Sequence, residues 1–459
     1  MHLKNLSTRK AIDMSYLVHS TEDRKKMLEE IGISDAGNLF NAVPKSIAHL
    51  KLNLSAPLSE KEIKEKLETI GAKNKPVNDF SSFLGGGAYN HYIPAAVRAI
   101  TGISEFYTAY TPYQAEISQG TLQYIFEFQS FICRMTGMDI ANASMYDGAS
   151  SLAEAALMAA RVNGKRKILL PKTVNPEYRM TCRTYLQAKS IGVVELDYKD
   201  GKLELGQLEK NIDDDTAAVI IQNPNFFGCF EEVFRIREII DSHPGCLFIA
   251  AVEPVSLGLI KDPASYGADI ATGDGQALGN PLCLGGPYLG FFACREKFLR
   301  QMPGRIAVKT IDARRNEAFV LSFQTREQHI RKSKATSNIC SNHSLNALAA
   351  LVYLSIIGKA GLRALANICL QRANYLAEKI NSVSGFRLKF KSPFFNEFVV
   401  ETENDVEHVL RELYKEDILG GVKLENYYPG LKNCFLVSVT EMNSVESLDR
   451  YHNALSRIR

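Results

Sequence analysis

The sequence predicts an α/β protein with a mainly parallel sheet and helices on both faces, followed by a smaller α+β domain. Two observations lead to this fold class. From about residue 76, apolar runs of strand length alternate with stretches of helical spacing, a rhythm typical of parallel sheets. The chain also has 459 residues, 46% of them hydrophobic, which is enough for one large core and a smaller one.

The N-terminal segment, residues 1–75, is predicted to be a helical arm. Capping boxes begin at Ser20 and at Ser59, each followed by an amphipathic stretch. In the second stretch Ile63, Leu67 and Ile70 share one helix face, and Gly71 follows as a stop signal.

The large domain is predicted for residues 76–341 and the small domain for residues 342–459. Strand-sized apolar runs of the large domain are 167–170, 193–198, 217–222, 247–252, 269–273 and 289–294. The small domain is expected to open with a long helix rich in alanine and leucine. It then continues through short strands such as 398–401 and 434–439.

Composition excludes several classes of protein. The 54 basic and 51 acidic residues are well mixed and give a net charge of +3, so we expect no nucleic acid partner. Apolar runs fall short of the ~18–20 residues of a membrane span, and the start does not resemble a leader, so we expect a cytoplasmic protein without a membrane. The nine cysteines include no CxxC pair; we expect reduced thiols and no metal.

Three stretches could carry chemistry, although no phosphate-loop, dinucleotide, HExxH or GxSxG motif is present. Residues 146–151 (YDGASS) open a helix and could form either an anion site or an ordinary capped helix start. Gly285 and Gly286 form a turn before a strand. Residues 324–340 (QTREQHIRKSKATSNIC) are dense in hydrogen-bonding groups and could equally be a solvated connector.

These residues resemble the glycine cleavage P-protein family. The resemblance rests on 105–114 (EFYTAYTPYQ), 116–120 (EISQG), 136–139 (TGMD) and 324–340. Residues 20–24 (STEDR), 38–40 (NLF) and 141–148 (ANASMYDG) are similar to its first, or alpha, subunit in organisms that divide the protein in two. The resemblance extends over nearly all of the chain.

The resemblance implies the fold type I architecture of pyridoxal-phosphate (PLP) enzymes, with a seven-stranded sheet and active sites at a dimer interface. It implies a cofactor lysine just before the Gly285 turn, where this chain has Gln276 or Ala277, and residues 262–296 contain no lysine. It implies an aspartate against the pyridine nitrogen, where this chain has Val252; Glu253, one residue on, would point to the opposite face. We therefore expect no catalytic or cofactor-binding residue in this chain.

The implied activity belongs to a complex. A lysine-bearing beta subunit would hold PLP, decarboxylate glycine and pass the aminomethyl group to the lipoyl H-protein, while this chain alone would be inactive. Two alternatives remain: a self-sufficient PLP decarboxylase or transferase using Lys309, Lys332 or Lys334, and a non-enzymatic regulatory protein on a decayed enzyme fold.

Polar aromatic, glycine and basic residues are predicted to lie at the subunit interface or beside the partner's pocket, because tyrosine and arginine are enriched at interfaces. The candidates are Tyr89, His91, Tyr107, Tyr110, Tyr113, Gly285, Gly286, Arg326, His329, Thr336 and Asn338.

Overall fold

The computed structural model describes residues 18–44, 47 and 53–458. The chain divides into two units, Met1–Lys75 and Pro76–Arg459. The predictions for residues 1–17 lie outside the described part.

Two helices form the described part of the first unit, α1 (Thr21–Ile31) and α2 (Glu60–Gly71), with a 3-10 helix at Ala36–Phe40. Both predicted capping boxes are confirmed. The Ser20 hydroxyl accepts from the Asp23 amide at 3.2 Å, and the Asp23 carboxylate accepts from the Ser20 amide at 2.9 Å. Ser59 and Glu62 repeat this pattern, and α2 ends at Gly71 as predicted.

The second unit contains the remaining helices. In chain order they are α3 (Ala95–Thr101), α4 (Ser104–Tyr107), α5 (Gln119–Thr136), α6 (Gly148–Asn163), α7 (Pro176–Gln187), α8 (Leu205–Asn211), α9 (Val233–Asp241), α10 (Gln328–Arg331), α11 (Ser344–Asn381), α12 (Val406–Lys415) and α13 (Val445–Leu455). Short 3-10 helices lie at Val77–Asp79, Ser256–Gly258, Pro263–Tyr266, Glu296–Gln301, Gln324–Arg326, Lys332–Lys334 and Pro429–Leu431.

The described strands all belong to the second unit as well. They are β1 (Ser81–Ser82), β2 (Ile140–Ala141), β3 (Lys167–Pro171), β4 (Gly192–Leu196), β5 (Tyr198–Lys199), β6 (Lys202–Leu203), β7 (Thr216–Asn223), β8 (Leu247–Val252), β9 (Ile270–Asp274), β10 (Gly290–Cys294), β11 (Ile306–Ile311), β12 (Glu317–Ser322), β13 (Phe386–Leu388), β14 (Glu397–Thr402), β15 (Ile418–Leu419), β16 (Val422–Lys423) and β17 (Cys434–Ser438).

The main sheet has seven strands in the order β2-β10-β9-β8-β7-β3-β4. The four pairings from β9 to β4 are parallel, whereas β10 is antiparallel to both β9 and β2. The predicted mainly parallel sheet is therefore confirmed, and each of the six predicted runs contributes a strand. The seventh strand, β2, was not predicted.

Helices cover both faces of this sheet, as predicted. Along β7, Val219 and Ile221 point into a core formed with α5 and the start of α11. The intervening Ala218 and Ile220 point into a second core formed with α6. This alternation follows from the two-residue period of a strand.

The C-terminal part contains an antiparallel sheet in the order β13-β14-β17-β16, packed on α12, α13 and the end of α11. Its mixed character agrees with the sequence. The boundary between residues 341 and 342 stays a prediction, because the first part of α11 packs in the core of the large sheet through residues such as Ala347 and Leu351.

The long helix α11 is broken at Gly358, which has φ 58° and ψ −174°, a conformation essentially reserved for glycine. Among the described residues, α11 alone is long and apolar enough to cross a membrane, but half of its most apolar window is buried inside the protein. A core helix has the same composition, and the buried Ala366, Cys369 and Ala373 identify α11 as one.

Candidate functional site

The carboxyl ends of the parallel strands meet at one edge of the large sheet, which is where α/β proteins bind ligands. Val252 ends β8, Asp274 ends β9, and the first turn of α6 begins beside them. This edge is therefore the place to test the expectations about the cofactor.

The side chain of Asp274 lies against the first turn of α6. Its carboxylate accepts from the Gly148 amide at 3.0 Å and from the Gln276 amide at 2.9 Å. Desolvation raises the pKa of Asp274 to about 7, although these amide hydrogen bonds favour the charged form.

The helix start that could have been an anion site is already filled. Asp147 caps α6 by accepting from the Ser150 amide at 2.7 Å, and Asp274 takes the Gly148 amide. The Tyr178 hydroxyl lies so close to Gly148 that a Cβ there would overlap it. Because two carboxylates and a tyrosine stand where a phosphate would sit, the first turn is a capped helix start.

Gln276, at the position where the resemblance places the cofactor lysine, is 2% exposed and fully hydrogen-bonded. Its amide nitrogen donates to the carbonyls of Tyr89 at 3.0 Å and Asn280 at 2.8 Å, and its oxygen accepts from the Tyr89 amide at 2.8 Å. Ala277, the other candidate position, is buried in an apolar cluster with Leu362 and Phe395. Neither side chain can form an imine.

Val252 is 4% exposed and supplies no group that could bind a ring nitrogen. Glu253 turns into its own loop, where it accepts from the amides of Val255 at 3.0 Å and Ser256 at 2.6 Å. Burial raises the pKa of the Glu253 carboxyl.

The cavity at this edge is small. Its volume is about 20 Å³, and its walls include Tyr89, Tyr178, Val252, Asp274 and Ala277. A buried water needs at least about 10–15 Å³, whereas ligand pockets usually measure about 300–1,000 Å³. The cavity has room for a water molecule, and the residues around it do not fit PLP.

Tyr89 and His91 are both buried, and Tyr89 forms part of the wall of this cavity. The Tyr89 hydroxyl donates to Glu397 at 2.8 Å, and burial raises the pKa of Glu397 to about 7. His91 Nδ1 lies 2.7 Å from a carboxylate oxygen of Glu441. Their assignment to the subunit interface stays a prediction.

A second cluster of contacting side chains surrounds Arg305, a residue that sequence reasoning missed. Its guanidinium donates to the Tyr113 hydroxyl at 2.9 Å and lies over that ring at 5.3 Å, while Nε pairs with Glu327 at 3.4 Å. The His329 ring packs edge-on to Tyr113 with 5.4 Å between centroids. The sequence offered one signal for Arg305, a single arginine directly before an apolar strand.

Arg326 has a structural role within the chain. It is 8% exposed, and its guanidinium donates to the carbonyls of Phe323, Met302 and Gly304. Its carbonyl in turn accepts from the Thr336 amide at 3.0 Å. The basic segment is therefore anchored by Arg326, while His329 and Asn338 remain exposed.

Other predicted interface residues are on the surface. The side chains of Tyr107 and Tyr110 are 68% and 82% exposed, and Ile117 in the same segment is 80% exposed. Gly285 and Gly286 adopt φ of 103° and 135° in a partly exposed turn.

The lysines of the self-sufficient alternative lie away from the small cavity. Lys309 is on the hairpin β11–β12, where it pairs with Glu317. Lys332 and Lys334 are exposed in the basic segment. None of the three lines the cavity at the sheet edge.

The family model described as glycine cleavage system P-protein matches residues 14–455. The chain belongs to this family. It is 48% identical over 440 residues to "Probable glycine dehydrogenase (decarboxylating) subunit 1" of Desulforamulus reducens, with 95% of this chain and 98% of the relative covered. The protein of the same name from Carboxydothermus hydrogenoformans is 50% identical to this chain over 437 residues, with the same coverage of both chains.

Solved structures confirm the fold. A glycine decarboxylase (P-protein) of the glycine cleavage system, in inhibitor-bound form, is 40% identical with a TM-score of 0.89, over 96% of this chain and 99% of that one. A sphingosine-1-phosphate lyase from Burkholderia pseudomallei, 13% identical with a TM-score of 0.64, shares the fold alone. This chain therefore has the fold type I architecture of PLP enzymes, as the resemblance implied.

Proposed function

We propose that this chain is the non-cofactor-binding subunit 1 of a two-subunit glycine dehydrogenase (decarboxylating). Its partner, a lysine-bearing subunit 2, holds PLP and decarboxylates glycine. The complex then passes the aminomethyl group to the lipoyl H-protein. The names of the relatives, which are subunit 1 proteins, support the division into subunits.

One observation supports the division of labour. In this chain Gln276 or Ala277 stands at the position that the resemblance gives to the lysine, and the cavity at the sheet edge, lined by Val252 and Ala277, measures about 20 Å³. PLP supplies an electron sink for decarboxylation, and it needs a lysine and a carboxylate against its ring nitrogen. The two carboxylates that line this cavity are hydrogen-bonded elsewhere, Asp274 to the start of α6 and Glu253 to its own loop.

This chain contributes an interaction surface to the complex, while the partner contributes the catalytic groups. A symmetric dimer with two equivalent interface sites can become a heterodimer in which one subunit keeps the chemistry and the other keeps the complementary surface. We assign that surface to the exposed tyrosines Tyr107 and Tyr110, the turn at Gly285 and Gly286, and the basic segment with His329, Thr336 and Asn338. Tyr113, held by a hydrogen bond from Arg305, would connect the exposed tyrosines with the basic segment.

The test compares the isolated chain, the lysine-bearing partner and the mixture in the presence of PLP. We expect no visible cofactor band on the isolated chain, one cofactor per heterodimer in the mixture, and glycine-dependent carbon dioxide release only when lipoyl H-protein is added. Borohydride trapping and peptide mapping should find the cofactor on a lysine of the partner. An adduct on Lys309, Lys332 or Lys334 would instead establish the self-sufficient alternative.

We also propose a cytoplasmic location. The experiment is fractionation of cells that express both subunits, in which the chain should follow the partner into the soluble fraction. Recovery of the chain with membranes would contradict this assignment.

A further inference from the structure

Three metal-ligating side chains meet in the interior at some distance along the chain from one another. They are His91, before α3; Cys369, on the second part of α11; and Glu441, after β17. Their ligating atoms all lie within 4.8 Å of one another. The Cys369 sulfur is 3.8 Å from the same Glu441 oxygen that lies 2.7 Å from His91 Nδ1.

Two members of the cluster are buried, Glu441 is partly buried, and the hydrogen bonding is incomplete. Cys369 is fully buried and His91 is 7% exposed, yet His91 Nε2 has no hydrogen-bond partner. The second oxygen of Glu441 accepts from the Tyr92 amide at 2.7 Å. Nδ1 is the imidazole nitrogen that faces Glu441, so it is the nitrogen that can share an ion with the thiol and the carboxylate.

The charged partner of Glu441 is itself a member of the cluster. In the part of the chain that the structure describes, no lysine or arginine forms an ion pair with the Glu441 carboxylate, and His91 is its partner. Buried charges are usually paired with a cation or coordinate a metal.

We propose that His91, Cys369 and Glu441 bind Zn²⁺. A thiolate, an imidazole and a carboxylate are the donors that zinc prefers, and soft sulfur disfavours Mg²⁺ and Ca²⁺. Bond lengths of about 2.0–2.3 Å in a tetrahedral site place ligands roughly 3.3–3.7 Å apart. The sulfur–carboxylate distance nearly meets this, and the histidine–carboxylate contact lengthens by less than about 1 Å when the ion separates them.

Binding exchanges ions without any redox change. Hydrated Zn²⁺ loses water ligands, the Cys369 thiol releases its proton to solvent, the imidazole coordinates as the neutral ring, and a water completes the four ligands. A cavity of about 710 Å³, lined in part by His91, Tyr92 and Met442, gives the ion a route to the site. The bound ion would join the segment around His91, helix α11 and the loop after β17.

The experiment uses the full chain with the exposed Cys283 and Cys340 replaced by serine, so that surface thiols do not bind the probe. Co²⁺ titration should give a sulfur-to-cobalt charge-transfer band and the visible bands of a tetrahedral site, and Zn²⁺ should displace it at one ion per chain. Cys369→Ser and Glu441→Gln should each weaken binding on the order of 100-fold or more.

Cys182→Ser is the matched control, because Cys182 is equally buried and only desolvation acts on the pKa of its thiol. This variant should bind Co²⁺ like the parent. Thermal unfolding without metal checks that each variant folds, and Glu441→Gln decides the matter if Cys369→Ser does not. The proposal is overturned if the parent shows no charge-transfer band, or if a folded Cys369→Ser or Glu441→Gln variant keeps it.

Discussion

Replacing Gln276 by alanine tests whether the residue at the lysine position has become structural. The change removes three hydrogen bonds and leaves both backbone groups of Tyr89 and the Asn280 carbonyl unpaired in the interior. At roughly 1 kcal/mol per bond, the free energy of unfolding should fall by about 3 kcal/mol. That loss corresponds to a factor of about 150 in the folding equilibrium, since about 1.4 kcal/mol is tenfold.

Urea unfolding of the isolated full chain measures this loss. Gln123→Ala is the control, because Gln123 is exposed and its side chain bonds to Glu127, four residues on along the same helix; its effect should stay within about 0.5 kcal/mol. A loss below about 1 kcal/mol for Gln276→Ala, or one equal to the control, would refute the reasoning.

Gln276→Lys should not restore a cofactor site either, because Val252 would still stand where the resemblance places the aspartate, and the ring nitrogen would lack a carboxylate partner there. A visible cofactor band on this variant would contradict the fit argument. For the Asp274→Asn variant, the free energy of unfolding relative to that of the parent should increase as the pH rises, by at most about 4 kcal/mol. The parent's carboxyl has its pKa raised from 3.8 to about 7, so the native state holds the proton more tightly and loses stability as pH rises through this window. Urea midpoints at about pH 5 and pH 8 check the sign, and a pH-independent difference would be evidence against it. Arg326→Ala should lower the unfolding free energy by roughly 2–3 kcal/mol, since it unpairs buried carbonyls, whereas exposed Arg331→Ala should not; equal urea midpoints would contradict this. Tyr110→Ala should leave the isolated chain as stable as the parent but weaken partner binding by calorimetry, with Tyr414→Ala, 55% exposed, as control.

Sequence patterns located the elements that have a clear period. The six strands predicted for the large domain, the two named for the small domain and both capping boxes were found, because alternation, apolar runs and caps are local signals. The strand β2 was missed, since two residues have no period, and the short edge strand is specified by its pairing with β10.

The site depends on contacts that a local pattern cannot contain. Arg305 and Tyr113 are 192 positions apart in the sequence, and Gln276 is 187 positions from its hydrogen-bond partner Tyr89. The resemblance indicated what was missing at Gln276 and Val252. It could not indicate that Asp274 and Tyr178 fill the place of a phosphate, because that depends on how β9, α6 and α7 pack together.

The break at Gly358 has a consequence for how motion spreads through α11. Helical hydrogen bonding is cooperative, so fraying at one point of a continuous helix weakens the turns beside it. With Gly358 in a non-helical conformation, the two parts of α11 behave as separate rods, the first held by the core of the large sheet and the second by the C-terminal core. Opening of the C-terminal layer can therefore stop at residue 358. The core of the large sheet then keeps its shape while the C-terminal layer opens locally.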